Sequence, residues 1–315
     1  MANQLTYTLW RVRRLWVVST LVASLGLIPL VWLGFLTSPG AIAAGVVGLG
    51  VMMLVFLLIY PTAWMDAIAV PIASALTLCC LPLCAWLVGV APDHNSGYAA
   101  VVLGIALIFF WIFAVLGATV AITALDKFPV GEIMTEADGW FDMPPDEAIR
   151  ILVLKPETRR PHRQTGSVDA DGWFSVRTTY EVPNAETFEM EELEVLIRAR
   201  KLDVPDELDI PEGAQAFVTQ EMVDDEGRQT SSVYQQIFAA EAGGTRYRVA
   251  EVQNHFTWMS CSGFWLQDFA ADHLQAELDL AQGRPTLALC RKPQRTFLTD
   301  LARFFDRMED HPGRG

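Results

Sequence analysis

Residues 263–281 read GFWLQDFAADHLQAELDLA, and how this stretch folds decides the architecture of the C-terminal half. Its apolar residues recur at helical spacing, and Gly283 and Pro285 follow as stop signals, so it is predicted to be one long helix. At about 100° per residue, with Leu266 at zero, Phe269, Ala270, Leu274, Leu280 and Ala281 fall within about 80° of it. His273 and Glu277 fall within about 20° of it, mid-face, and being four apart they can touch. Two polar side chains facing a core cost several kcal/mol unless they are satisfied. Two readings are open. Either the pair is satisfied by the sheet backbone or lies where the sheet leaves the helix uncovered, or the face lines a cavity whose water or ligand satisfies it.

Strand patterns precede this helix. Phe174, Val176, Thr178, Tyr180 and Val182 alternate with Ser175, Arg177, Thr179 and Glu181, and Leu193, Val195, Ile197 and Ala199 show the same period. Segments 216–223 and 233–240 flank Asp224-Asp-Glu-Gly227, a hairpin signal. Ala242-Gly-Gly244 turns into 245–258, whose apolar parity shifts between Val249 and Ala250, as a β-bulge would cause. Residues 142–155 begin with Pro144, Pro145, Asp146 and Glu147 and are followed by Pro156, which is helix punctuation. Ile149, Ile151 and Val153 also alternate, so a strand stays open there. The order is therefore a short helix, antiparallel strands and one long helix, an α+β class. A meandering sheet with one apolar face must cover it, and the closing helix can do so.

Three segments carry a resemblance. Met143-Pro-Pro-Asp-Glu-Ala148 is similar to the start of the first helix in the START-like helix-grip superfamily, the SRPBCC group of lipid-binding and polyketide cyclase-like proteins. Gly244-Thr-Arg-Tyr-Arg-Val249 and Leu266-Gln-Asp-Phe-Ala-Ala-Asp-His-Leu274 also resemble that group, the latter its long helix. The resemblance covers roughly residues 130–283. It implies a helix-grip domain, an antiparallel β-sheet wrapped around a long C-terminal α-helix, with an apolar cavity between them for a hydrophobic ligand. It brings no fixed catalytic set. The candidate ligand-binding residues are His273, Glu277, Leu266, Phe269, Ala270 and Leu274, with no catalytic residue, metal or cofactor assigned.

The N-terminal half reads differently. Over 315 residues the chain is 52% hydrophobic and 19% charged, with mean hydropathy +0.28. Residues 1–125 hold Arg11, Arg13, Arg14, Asp66 and Asp93 as their only charges, a net of +1, so 126–315 carry 20 basic and 35 acidic residues, a net of −15. Residues 15–36 run for 22 positions without a charge, and a hydrocarbon core of about 30 Å needs about 20 helical residues. A cleaved signal peptide is the rival reading, but its core runs only about 7–15 residues, and further apolar runs follow at 41–60, 67–91 and 99–125. Four spans are expected, as a four-helix transmembrane half over 1–125. Arg11, Arg13 and Arg14 precede the first and Lys127 follows the last, while the 37–40 and 92–98 loops hold neither Lys nor Arg. That places both termini and the acidic half on the cytoplasmic side, and a bacterial plasma (inner) membrane is the expected location.

None of the expected spans holds an ionisable residue of the kind transporters keep at membrane depth. Asp66 reads as a turn residue at a helix end. Ala41/Gly45, Ala44/Gly48 and Ala114/Ala118 permit close helix contact and so a homo-oligomer. Cys79, Cys80 and Cys84 read as small packing residues. Ser167-Val-Asp-Ala-Asp-Gly172 lacks the first and last ligands of a calcium loop and reads as a turn. Ala-Asp-Gly-Trp-Phe occurs at 137–141 and 170–174, too few copies for a repeat array. Cys261 and Cys290 are isolated, no phosphate loop or dinucleotide fingerprint is present, and the acidic balance argues against nucleic acid.

Residues 291–308 carry Arg291, Lys292, Arg295, Arg303 and Arg307 against Asp300 and Asp306, with Phe297, Leu301, Phe304, Phe305 and Met308 at helical spacing. This basic amphipathic tail, 291–315, either lies on an anionic membrane surface or packs on the domain. The segments are thus 1–125, 126–290 and 291–315. The sequence points to a membrane-anchored binding protein for a lipid or polyketide-like molecule, whose partners are membrane lipids. The alternatives are a scaffold or regulatory protein whose acidic domain binds a protein, and an enzyme using His273 as base with Glu277 orienting it.

Overall fold

Uncharged apolar runs, with no water partner for their backbone in a greasy setting, are best served by internal helical hydrogen bonds, and that is how the first part of the chain is built in the computed structural model. The structure describes residues 2–87, 97–160, 163–183, 190–225, 228–281, 284–292, 295–297 and 299–303. The chain separates into two units, Met1–Lys127 with Arg295–Gly315, and Phe128–Gln294.

The first unit contains α1 (Ala2–Ser24), α2 (Leu27–Trp32), α3 (Pro39–Ile59), α4 (Asp66–Leu87) and α5 (Gly97–Leu125). Among the described residues, four stretches are long and apolar enough to cross a membrane: Gln4–Trp32, Pro39–Ile59, Asp66–Cys84 and Val101–Leu125. The first helix begins well before residue 15, so Arg11 lies inside it and is buried. Most of the expected 92–98 loop lies outside the described residues, and α5 already starts at Gly97. Polar side chains tie the helices together. Trp16 Nε1 donates to the Gly50 carbonyl at 2.7 Å, Ser19 Oγ to the Ala67 carbonyl at 2.7 Å, and Trp111 Nε1 to Ser74 Oγ at 3.1 Å. Where α1 breaks into α2, a Cβ on Gly26 would sit 2.6 Å from the Ala75 carbonyl oxygen, so only glycine lets α4 approach this closely. Ala114 and Ala118 pack within this unit, whereas Ala44 and Gly48 are exposed.

The described part of the tail belongs to this same unit. The Phe297 amide donates to the buried Asp66 carboxylate at 2.6 Å, its ring meets Trp111 edge-on at 5.5 Å, and Tyr60 donates to Asp300 at 3.1 Å. Asp66 is therefore an anchor for the tail, beyond the turn role read from its position. Phe304, Phe305, Arg307 and Met308 lie outside the described residues.

The second unit is an α+β layer structure. It contains β1 (Pro129–Phe141), α6 (Pro145–Leu152), β2 (Arg163–Thr165), β3 (Trp173–Pro183), β4 (Met190–Leu202), β5 (Gln215–Asp225), β6 (Arg228–Glu241), β7 (Gly244–Thr257), α7 (Trp258–Leu266) and α8 (Phe269–Ala281). The strands form one antiparallel sheet in the order β1-β7-β6-β5-β4-β3-β2. One core joins the sheet to α6 and α8: Ala137, Phe141, Phe238 and Tyr247 from the strands meet Ile149 and Leu152 of α6 and Leu274 and Leu278 of α8. Thr245, fully buried, donates to the Met143 carbonyl at 2.7 Å and so fixes the entry to α6. A Cβ on Gly244 would fall 2.2 Å from the Phe141 carbonyl oxygen, which reserves that position for glycine.

Three expectations need correction. The long helix over 263–281 is two helices, because Asp268 adopts φ 54° between α7 and α8 and stops the ladder. The sheet begins with β1, whose alternation is hidden by register shifts around Gly131. The expected bulge at Val249–Ala250 is absent: β7 pairs with β6 in continuous register from Ser232↔Gln253 to Glu241↔Gly244. The Asp224–Gly227 hairpin forms between β5 and β6, with residues 226–227 outside the described residues.

Candidate ligand-binding cavity

Between α8 and the sheet lies a cavity of about 430 Å³. Phe269, Ala270, His273, Leu274 and Glu277 of α8 all line it, so five of the six residues picked from the sequence come together. Leu266 does not. It closes α7, beyond the break at Asp268, where a wheel drawn through an unbroken helix no longer applies, and it is buried outside the cavity lining. The hollow is also less greasy than the resemblance implies, since its walls mix apolar side chains with a buried polar network.

Glu277 is held by two arginines. Its Oε1 lies 2.9 Å from Arg291 Nη2 and 3.6 Å from Arg163 Nη2, with all three side chains 11–15% exposed. Arg163 comes from β2, and Arg291 from a short 3-10 turn, Leu289–Arg291. Asp272, five residues before Glu277, places that turn: its carboxylate accepts the Leu289 and Cys290 amides at 3.1 and 2.7 Å. Burial pushes the nearby Arg160 guanidinium below its ordinary value, with Arg163 adding to the effect and Glu277 opposing it. The Cys290 thiol is pushed up by burial and by Asp272, so it stays protonated.

His273 is not hydrogen-bonded to Glu277, and among the described residues it has no hydrogen-bond partner. Its ring stacks on Phe269, centroids 6.1 Å apart. Burial drives the imidazole below its usual value, Glu277 pulls the other way, and Arg291 and Arg163 reinforce the shift. It is neutral at pH 7 and faces the hollow with its polar edge unspent.

Across the cavity three strands contribute an acidic cluster. Tyr234 of β6 stands opposite Glu251 of β7, and Glu221 of β5 stands opposite Ser232. The Tyr234 hydroxyl engages both carboxyls, and the Gln253 amide donates to Glu251. Burial pushes Glu221 up to about 7, with Arg163 and the Tyr234 hydrogen bond working against it and Glu251 and Glu277 with it. Burial likewise raises Glu251 and Tyr234. Deeper in, Gln236 Nε2 donates to the Tyr247 hydroxyl at 2.7 Å. Single-sequence reasoning missed these groups, although a signal was present. The parity shift read as a bulge arises because Glu251 and Gln253 take the inward positions that Tyr247 and Val249 hold earlier in β7.

Chemically, the cavity offers an apolar wall (Leu152, Ile197, Val249, Phe264, Phe269, Leu274), an arginine-rich end and, on the strand side, two carboxyls, Glu221 and Glu251, whose ionisation burial opposes. Among the described residues no three His, Cys, Asp or Glu side chains stand close enough together to hold a metal ion.

No family model and no curated protein sequence matches the chain. Among solved structures it is similar to Ara h 8.0201, at 12% identity and TM-score 0.32 over 49% of this chain and 97% of that one. It is also similar to an uncharacterised protein from Rhizobium leguminosarum, at 16% identity and TM-score 0.28 over 48% and 92%. The di-domain ARO/CYC StfQ from the steffimycin biosynthetic pathway matches at 12% identity and TM-score 0.30 over 58% and 59%.

Proposed function

We propose that this chain is a membrane-anchored binding protein whose cytoplasmic domain, Phe128–Gln294, takes up a hydrophobic ligand with polar substituents, of lipid or polyketide-like character. The observation that carries the reading is the cavity itself. Its volume, about 430 Å³, lies within the range of roughly 300–1,000 Å³ typical of small-molecule sites. Its lining pairs apolar surface with a few converging polar groups, of which His273 has no hydrogen-bond partner among the described residues. A hydroxyl or carbonyl on the ligand would satisfy that imidazole, and the aromatic wall of Phe264 and Phe269 would take the ligand body. The four apolar stretches of the first unit support the anchor, and the Arg11–Arg14 cluster supports cytoplasmic termini.

The test is native mass spectrometry of the full chain purified in mild detergent and incubated with a total lipid extract. A bound small molecule is expected on the parent protein and reduced in His273→Leu, with an unchanged melting curve. Ala270→Trp, which places an indole into the hollow, should abolish it. A parent protein that retains nothing, or an Ala270→Trp variant that binds as well, would refute the reading.

A further inference from the structure

The helix α7 presents two unlike faces. Trp258 and Trp265, seven residues apart and so on one side of a helix, are 63% and 59% exposed. Elsewhere on the helix Gly263 and Leu266 are buried, and Phe264 reaches the cavity, where its ring meets Phe256 at 5.3 Å and Phe269 at 4.5 Å. The sequence WMSCSGFWL contains no charged residue, in a chain whose net charge is −14. Two half-open tryptophans on an uncharged helix are an unfavourable surface in water. At the edge of a bilayer they are favourable, because the indole is apolar in its body and polar at its N–H.

The chain says where this helix is tethered. The Trp258 amide donates to the Phe128 carbonyl at 3.2 Å, and Phe128 is itself 59% exposed. Only Asp126 and Lys127 separate Phe128 from Leu125, the last residue of the apolar stretch Val101–Leu125. Three residue steps reach at most about 11 Å.

We propose that α7 is an interfacial helix, with Trp258, Trp265 and Phe128 seated in the lipid headgroup layer of the membrane that holds the four apolar helices. This rests on the membrane reading under Proposed function and adds to it. The wall of the cavity formed by Phe264 then borders the lipid surface, so a ligand drawn from the bilayer has one helix to pass. The committed partner is lipid. A protein partner on the same face is a competing outcome.

The experiment places a photoactivatable benzophenone amino acid at position 258, 265, 196 or 109 of the full chain, reconstituted in vesicles of equal parts phosphatidylcholine and phosphatidylglycerol. Peptide mass spectrometry then reads the adducts. Phe109, exposed on α5, reports the span, and Leu196, exposed on β4, is the control for casual lipid contact. Phospholipid adducts are expected at 109, 258 and 265, with at least a tenfold lower yield at 196. Adducts at 109 without adducts at 258 and 265 would overturn the interfacial helix and leave the anchor standing. Adducts at 258 or 265 to a protein chain would also overturn it, as would equal lipid labelling at 196. Absence of labelling at 109 would remove the anchor, and the interfacial helix with it.

Discussion

Replacing Glu221 by glutamine should change how the stability of the second unit depends on pH. Glu221 is pushed from 4.5 up to about 7, chiefly by burial, against the pull of Arg163. A carboxyl whose folded value lies above its unfolded value binds more protons folded than unfolded, so its favourable contribution is complete below about 4.5 and fades as the pH rises towards 7. At about 1.4 kcal/mol per unit, the ionised side chain costs the folded state roughly 3 kcal/mol at pH 8. Glutamine is neutral throughout and keeps the shape of the protonated acid. The stability advantage of Glu221→Gln over the parent should therefore grow by roughly 2–3 kcal/mol between pH 5 and pH 8. Titrating groups remote from Glu221 are common to both proteins and drop out of the difference. Since the chain has two units, global unfolding is a poor readout. Deuterium exchange of the β5 and β6 amides, measured on the full chain in detergent from pH 5 to 8, follows the right element. Parallel pH profiles for parent and variant would refute the placement of this carboxyl in the buried wall of the cavity.

Two further outcomes follow from the same geometry. Glu277→Ala removes the carboxylate that Arg163 and Arg291 share, and should destabilise α8 by about 3–5 kcal/mol, seen as faster amide exchange over 269–281; adding Arg291→Met to it should recover much of the loss. Asp66→Ala deletes the charged acceptor of the Phe297 amide, a bond of a kind worth about 1.5–3 kcal/mol. Cleavage by trypsin after Arg295 and Arg303 should then accelerate tenfold or more, and unchanged rates would show that the tail is held by other contacts.

Local patterns were readable wherever the relevant forces are local. The charge-free runs, the proline-and-acid start of α6, the hairpin at 224–227 and the alternation of β3 and β4 each depend on residues close in sequence, and they reappear as elements. β1 was hidden because its register slips at Gly131 and Ile133 spoil a strict period of two. The helix break was hidden because Asp268 in a left-handed conformation leaves no mark in apolar spacing. The site residues divide in the same way. Those of α8 share one helix face and can be found by counting. Arg163 lies 114 positions from Glu277 and reaches it only after the sheet has closed.

One part of the site was legible and was read as something else. In an ordinary two-layer core, β7 would keep apolar residues on its inward side throughout, and a change of parity would mean an extra residue in the strand. Here the register is continuous and the inward residues change instead, from Tyr247 and Val249 to Glu251 and Gln253, while Ala250 is buried on the other side. Polar residues at inward positions of three neighbouring strands, Glu221, Tyr234 and Glu251, cannot face a solid apolar core without a penalty of several kcal/mol. They are tolerable where the strands face a hollow that admits water or a polar ligand. His273 and Glu277 break the apolar face of α8 from the opposite side. Two elements with polar residues at core positions, facing each other across the same gap, imply a cavity more strongly than either does alone, because a bulge explains one strand but cannot explain the helix.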